Sequence, residues 1–281
     1  MMKSYLCLIT FALLPLCALA QSEEEADFTA DRPGATTGVD VLPRGRVQWE
    51  TGFGYERTKV VEDVAVTTWT INSSLLRWGI SESAELRLQA DYLYSSIEGT
   101  HVKGFSNVAF GTKVKLFEGW KAANKREQNG ACTDSAECEQ ARLKAKAVPT
   151  ISLLCNIIVP GGSNADFLPE EWSGQMGLLF QNELTSWLSL GYEADLTWYG
   201  GTKPIFFWGA CLGFQLNNRL SLMAEEYNYH YDGFHENWVE LGAAYLLTPR
   251  LQLDLATDIY LNYPKRYFNL MVGIAWQITK R

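Results

Sequence analysis

Residues 268–278 read FNLMVGIAWQI, and this stretch decides the fold. Every second residue from Phe268 to Ile278 is large and apolar, while the residues between them are small, polar or flexible. Successive side chains of a β-strand point to opposite faces, so one face of this strand suits an apolar medium and the other suits water or tight packing. Similar alternation recurs back to about Val47, which predicts an all-β chain.

The first twenty residues have the pattern of a secretory signal. Lys3 supplies a positive charge, residues 6–16 form a short apolar core, and Ala18-Leu19-Ala20 is a small-residue cleavage site. We expect cleavage after Ala20. Beyond it no apolar run approaches the roughly 18 residues that a membrane helix needs. The mature chain is therefore either a soluble exported protein or one that crosses a membrane as strands.

Twelve alternating segments can be marked. They lie near 44–58, 64–80, 84–95, 104–117, 148–159, 174–185, 187–199, 204–216, 219–230, 237–247, 250–262 and 267–279. An even number is typical of bacterial single-chain barrels with both termini in the periplasm, and an alternating strand at the C-terminus of an exported chain is typical of their closing strand. The alternation predicts a transmembrane antiparallel β-barrel of about 12 strands.

The connections give a separate test of this interpretation. Residues 81–83, 186, 217–218 and 248–249 are short and fall on the periplasmic side, whereas 95–103, 160–173 and 231–236 are longer and fall on the opposite side. One connection, 118–147, is long, polar and on the wrong side. A strand miscount, an ordered periplasmic insert and a flexible one are the alternatives there.

A soluble sandwich would also alternate, with its apolar row in a core. Aromatic residues near the strand ends favour the barrel, because such barrels carry aromatic girdles at both membrane interfaces. The girdle candidates are Trp49, Tyr55, Trp187, Trp198, Tyr199, Tyr245, Tyr260, Tyr267 and Trp276.

In a barrel the polar row faces the lumen. The lumen-lining candidates are Glu50, Glu85, Arg87, Asp91, Lys113, Lys115, Glu183, Glu193, Asp195, Glu225, Asp254 and Asp258. Acids outnumber bases in this set, so an open lumen would attract cations and repel anions. The alternative is a structural lattice in which these acids pair with bases and tyrosines across the strands.

An embedded hydrolase is a different class of function that the sequence has to be tested for. Barrel phospholipases use a lipid-facing His followed two residues later by Ser, because the Ser needs a general base in reach. Here His101, His230 and His235 are followed at that spacing by Lys103, Asp232 and Asn237. We therefore predict no catalytic residues, no metal site and no cofactor.

Several blocks resemble the outer-membrane barrel family of transporters assigned to the MetA-pathway of phenol degradation. They are Asp31-Arg32-Pro33-Gly34, Leu42-Pro43-Arg44-Gly45, residues 48–53 (QWETGF), 76–80 (LRWGI), 85–87 (ELR), 159–162 (VPGG) and 242–254 (GAAYLLTPRLQLD). The resemblance spans nearly the whole mature chain. It implies an outer-membrane channel for small solutes, aromatic or hydrophobic ones among them.

The expected layout is a signal peptide (1–20), a periplasmic or plug-like N-terminal segment (21–43), and a β-barrel (44–281) with a cysteine-bearing insert at 118–147. We expect it in the outer membrane of a Gram-negative bacterium. Its expected partners are outer-membrane lipids, the barrel-assembly machinery and a small-molecule solute. The net charge of −8 argues against nucleic acid. A structural or interaction barrel with a blocked lumen is the alternative function, and a membrane-embedded hydrolase the third.

Cys132 and Cys138 lie six residues apart in a polar stretch of an exported chain, which favours a disulfide over a zinc site because no second ligand pair is near. We expect mass spectrometry of a non-reduced digest to show the two peptides joined. Free thiols at both positions in protein isolated from cell envelopes would contradict the bridge.

Overall fold

A computed structural model describes residues 28–59, 64–119, 147–161, 167–262 and 267–279. It contains twelve strands: β1 Val47–Lys59, β2 Ala65–Ser81, β3 Ala84–Ile97, β4 Thr100–Phe117, β5 Thr150–Ile158, β6 Ser173–Glu183, β7 Leu188–Trp198, β8 Ile205–Gln215, β9 Leu220–Tyr231, β10 Phe234–Thr248, β11 Leu251–Tyr260 and β12 Tyr267–Gln277. The described ranges hold no helix long and apolar enough to span a membrane. The predicted twelve-stranded antiparallel barrel is confirmed.

The barrel is closed by its first and last strands. Every strand pairs antiparallel with its neighbours in sequence, and β1 pairs with β12 from Gln48 opposite Gln277 to Thr58 opposite Tyr267. The amide of Ile278 donates to the carbonyl oxygen of Val47 at 2.8 Å and continues this seam. A closed ladder leaves no strand edge, which is the condition for a sheet to lie in hydrocarbon.

The end of the barrel that carries Val47 and Gln277 is called the terminal end, and the other the distal end. The predicted short turns at the terminal end are present after β2, β6, β8 and β10. Strands β4 and β5 pair directly although about thirty residues separate them, so the alternative of a strand miscount is wrong. Residues 120–146, including Cys132 and Cys138, lie outside the described ranges.

Two predicted long loops at the distal end are instead tight hairpins. Strands β3 and β4 are joined by Glu98 and Gly99, with φ of 46° and 82°, and β9 and β10 by Asp232 and Gly233, with φ of 46° and 83°. Two consecutive left-handed residues form the turn that matches the twist of paired strands, and Asp-Gly is among the best sequences for it. The prediction of longer loops at 95–103 and 231–236 was wrong because the strands continue almost to the turns.

The outer wall is apolar and exposed, as a lipid-facing surface must be. On β11, Leu253 and Leu255 are 40% and 48% exposed, while Asp254 between them is 7% exposed and faces inward. Large side chains of the other strands repeat this pattern, among them Leu86, Leu88, Leu196, Leu241, Leu270, Val272 and Ile274.

Replacing Leu255 with Arg places a charge on the lipid face at the middle of its strand. We expect the free energy of unfolding in lipid bilayers to fall by about 2–4 kcal/mol, because a cation near the bilayer midplane loses its hydration. Urea titration followed by tryptophan fluorescence measures this. Leu255→Met is the matched control and should change the value little. Equal values for both variants would contradict the assignment of this face to lipid.

Candidate functional site

Residues 28–43, here called the inner segment, lie within the barrel and cross its lumen. Their contacts reach strands all around the barrel wall. Asp31 meets β2, β3 and β4; Arg32 meets β11; Ala35 and Thr36 meet β9; Thr37 meets β7; Val39 meets β5; and Leu42 meets β3. The lumen is therefore occupied at this level by a polar strip of backbone.

The strongest anchor of the inner segment is a buried charge cluster. Asp31 contacts Arg77 at 3.5 Å, Lys113 at 2.9 Å and Arg87 at 2.5 Å. Burial alone would raise the pKa of Asp31, but these three cations outweigh it and hold the pKa well below its usual range. The ionised carboxylate is thus the favoured form.

Arg77 completes the cluster from the barrel wall. Its guanidinium donates to Glu50 and Glu85 and to the backbone carbonyls of Thr29 and Asp40, all within 3.3 Å. Three cations (Arg77, Arg87 and Lys113) face three carboxylates (Asp31, Glu50 and Glu85). Because these charges balance, the cluster itself has little net charge left for a solute.

Glycines in the wall make room for the inner segment. Gly52 and Gly273 pair across the β1–β12 seam, and the Arg32 guanidinium lies where their side chains would be. On β8, the Thr36 hydroxyl likewise occupies the space where a side chain of Gly209 would be. A Cβ atom at any of these positions would overlap the inner segment, so the wall is shaped to receive it.

Two wall carboxylates bind backbone amides of the inner segment on the opposite side of the lumen. Glu225 accepts from the amides of Ala35 and Thr36 at 3.1 and 2.6 Å and from the Thr36 hydroxyl. Glu193 accepts from the amide of Thr37 at 2.6 Å. These bonds satisfy donors that would otherwise be buried without partners.

A cavity lies on each side of this contact. The larger, of about 470 Å³, is bordered by the inner segment and by the terminal ends of β6, β7, β8 and β9. The smaller, of about 100 Å³, lies towards the distal end among residues of β6–β9. Thr37 lines both, so on this side of the lumen they are separated by little more than one residue of the inner segment.

Aromatic side chains cover part of the lumen wall on the distal side of the inner segment. This lumenal aromatic group consists of Phe207, Tyr227, Tyr229, Trp238, Tyr260 and Tyr267. Ring centroids of Trp238 lie 4.5 Å from Tyr260 and 4.7 Å from Tyr267. The hydroxyls of Tyr227 and Tyr267 donate to Asp258 at 2.9 and 3.2 Å.

Assigning Tyr260 and Tyr267 to the outer girdle was therefore wrong. Both occupy strand ends, but the register places them on the inward row, opposite or beside Trp238. Trp49, Trp187, Trp198, Tyr245 and Trp276 are between 40% and 52% exposed on the outer face, as a girdle requires.

Charge is segregated around the lumen. Strands β5–β12 contain no lysine or arginine, and all cationic strand residues belong to β1–β4. The inward carboxylates of β5–β12 are Glu183, Glu193, Asp195, Glu225, Glu236, Glu240, Asp254 and Asp258. Within the described residues only Asp254 among these forms an ion pair, with Arg32 at 3.2 Å. This wall presents one sign of charge together with aromatic rings.

The predicted lumen-lining residues all occupy inward positions of their strands. Glu50, Glu85, Arg87, Lys113, Glu193, Asp195, Glu225, Asp254 and Asp258 are buried, and Asp91, Lys115 and Glu183 are half-buried. The structure brings Glu50, Glu85, Arg87 and Lys113 together around Asp31. Lys115 instead pairs with Asp40, Asp91 lies near Asn107, and the residues of β6, β7, β9 and β11 lie apart from the cluster.

Among the inward charged residues that sequence reasoning missed are Arg77 and Glu240, which are 0% and 1% exposed. The signal was present, because Arg77 stands between outward Leu76 and Trp78, and Glu240 between Val239 and Leu241. Asp31 was missed for another reason: nothing in the alternation predicts the path of the inner segment.

The histidines and strand cysteines occupy separate places. His101 Nδ1 lies 2.9 Å from the Tyr94 hydroxyl, and the His230 and His235 rings lie 6.0 Å apart on the outer face. Cys155 and Cys211 are free thiols in β5 and β8. In the part of the chain described, no three His, Cys, Asp or Glu side chains are grouped to hold a metal.

A family model described as "Putative MetA-pathway of phenol degradation" matches residues 30–278. Solved structures with a similar fold include the NanC porin (9% identity, 82% of this chain and 100% of that chain, TM-score 0.47) and the CymD monoaromatic hydrocarbon channel (6%, 84% and 90%, 0.44). The toluene transporter TbuX of Ralstonia pickettii is another (7%, 84% and 90%, 0.43). No curated protein matches the chain.

Replacing Asp31 with Asn leaves three buried cations against two carboxylates. We expect the free energy of unfolding to fall by about 3–5 kcal/mol and residues 28–43 to become accessible to protease, because removing one member of a buried ion pair leaves the opposite charge buried without a partner. The contribution of Asp31 is present above the pKa of an unfolded aspartate, about 3.9, and is lost as the pH falls below it.

The control for this change is Asp40→Asn in the same segment. Its side chain is 30% exposed and lies 3.4 Å from Lys115, so its loss should cost at most about 1 kcal/mol. Urea titration and limited proteolysis measure both variants. Equal effects would contradict a special role for Asp31.

Proposed function

The chain belongs to the outer-membrane barrel family described as the MetA-pathway of phenol degradation, and from that premise we propose that it is a passive channel for small aromatic or hydrophobic solutes. The observation that carries the proposal is the lumenal aromatic group. Rings that lie within a polar lumen provide flat apolar contacts for an aromatic solute, at little cost in side-chain entropy.

The path runs along the β6–β9 side. The terminal end faces the periplasm and the distal end the exterior, as the short turns after β2, β6, β8 and β10 favour. A solute entering from outside meets the lumenal aromatic group, then the 100 Å³ cavity, then Thr37, and then the 470 Å³ cavity. Passage requires a local shift of residues 35–37, while the cluster on β2–β4 holds Asp31, and Asp254 and Ser152 hold Arg32 and Val39.

We also propose that the chain is exported with cleavage after Ala20, is inserted by the barrel-assembly machinery and contacts outer-membrane lipids. The exposed apolar wall, with Leu255 at 48% and Val272 at 43% exposed, supports the lipid contact.

A structural or interaction barrel with a blocked lumen is the second candidate. It is favoured by the contacts of the inner segment, which reach strands on every side of the lumen through Asp31, Arg32, Thr36 and Thr37. The two candidates differ in one measurable property, because a blocked barrel does not conduct ions.

We expect single-channel steps when the full-length barrel is reconstituted in planar bilayers, and brief current interruptions when phenol is added. Trp238→Leu should shorten the interruptions roughly two- to tenfold, because an aromatic pair contributes about 0.5–1.5 kcal/mol. Trp49→Leu, on the lipid face, is the matched control and should leave them unchanged. Bilayers that stay sealed under all conditions would refute the channel and support the blocked barrel.

A further inference from the structure

The 100 Å³ cavity has the features of a small-molecule site. Glu193 and Asp195 lie two residues apart on β7, so both side chains enter it from the same strand, and they are 4% and 5% exposed. Phe207 and Tyr229 lie on the neighbouring strands and place their rings in the same cavity, with centroids 5.2 Å apart. The volume exceeds the 10–15 Å³ or so that one water needs.

Each carboxylate uses one oxygen for the protein. Glu193 Oε2 accepts from the Thr37 amide at 2.6 Å, and Asp195 Oδ2 accepts from Gln175 Nε2 at 2.7 Å. Among the described residues no donor reaches Glu193 Oε1 or Asp195 Oδ1. Gly177 lies opposite on β6 and has no side chain to fill the space beside them. The second oxygen of each carboxylate therefore remains available to a ligand in the cavity that both residues line.

The residues around the cavity favour an organic cation over an anion or a divalent metal ion. Strands β5–β12 carry no lysine or arginine, and Arg32 is engaged with Asp254 on the other side of the inner segment. An anion would meet unshielded carboxylates. A divalent metal ion would need six or more oxygen ligands in the case of calcium, or an octahedral set in the case of magnesium, and the side chains of Ala35, Ile205 and Phe207 in the lining have no oxygen to offer.

From these contacts we propose that the cavity binds a small organic ammonium ion, a protonated amine. Its N–H groups donate to Glu193 Oε1 and Asp195 Oδ1, while its carbon skeleton lies against the Phe207 and Tyr229 rings, whose faces attract cations. For its role in passage the inference rests on the proposed channel. Binding itself is measured without passage.

The test uses three probes of similar shape: benzylammonium, neutral benzyl alcohol and anionic benzoate. Calorimetric titration of the full-length barrel in detergent should give the tightest binding for benzylammonium, at least tenfold weaker binding for benzyl alcohol, and none for benzoate. Equal affinities for benzylammonium and benzyl alcohol would overturn the proposal, and this comparison needs no variant.

The double variant Glu193→Gln with Asp195→Asn keeps an acceptor for Thr37 and for Gln175 but removes both charges. We expect it to weaken benzylammonium binding at least tenfold and to leave benzyl alcohol unchanged. Glu226→Gln is the matched control, because it removes one carboxylate from the outer face of β9. Heat-dependent migration in SDS shows whether each variant is folded, and Asp195→Asn alone replaces the double variant if that one fails.

Binding and conduction have separable outcomes. Benzylammonium binding that depends on Glu193 and Asp195, in a protein that never conducts, would refute the channel and support the site. Conducting channels in which the double variant binds benzylammonium as tightly as the native chain would overturn the site alone.

Discussion

The constraint on which the whole structure depends is that backbone amides and carbonyls cannot be left unpaired in hydrocarbon. A sheet meets it only by closing on itself, and the β1–β12 pairing from Gln48 to Thr58 does this. Closure then determines which side chains each face of a strand can carry. One face of every strand must be apolar, the other must enclose a lumen, and whatever polar groups face that lumen must find partners inside it.

The two sides of the lumen meet this last requirement in different ways. On β1–β4 the wall supplies both signs of charge, and Asp31 of the inner segment joins Arg77, Arg87 and Lys113 into a neutral lattice. On β5–β12 the wall supplies carboxylates, hydroxyls and rings but no cation. The lattice interpretation of the acidic row thus describes the β1–β4 side. The cation-path interpretation stays a prediction for the β5–β12 side.

Strand number and facing could be predicted because alternation is a local property that each strand carries in its own residues, and the twelve strands are confirmed. The hairpin at Asp232-Gly233 could have been predicted too, since Asp-Gly is a turn signal, but the strands were ended too early. The aromatic contacts of Tyr260 and Tyr267 could not, because a strand-end aromatic suits a girdle and a lumen equally until the register is known. The contacts of residues 28–43 join positions up to 222 apart, as Arg32 and Asp254 do, and no local pattern encodes them.

The position of the Arg32 guanidinium has a consequence for the order of events in assembly. The guanidinium lies over Gly52 and Gly273, one from the first strand and one from the last, which become neighbours only when the cylinder shuts. Gly273 is not yet in place beside Gly52 in any chain whose last strand has not paired with the first. The residues around Arg32 can therefore reach their final position only during or after closure, so their ordering serves as an internal marker that the barrel has been completed.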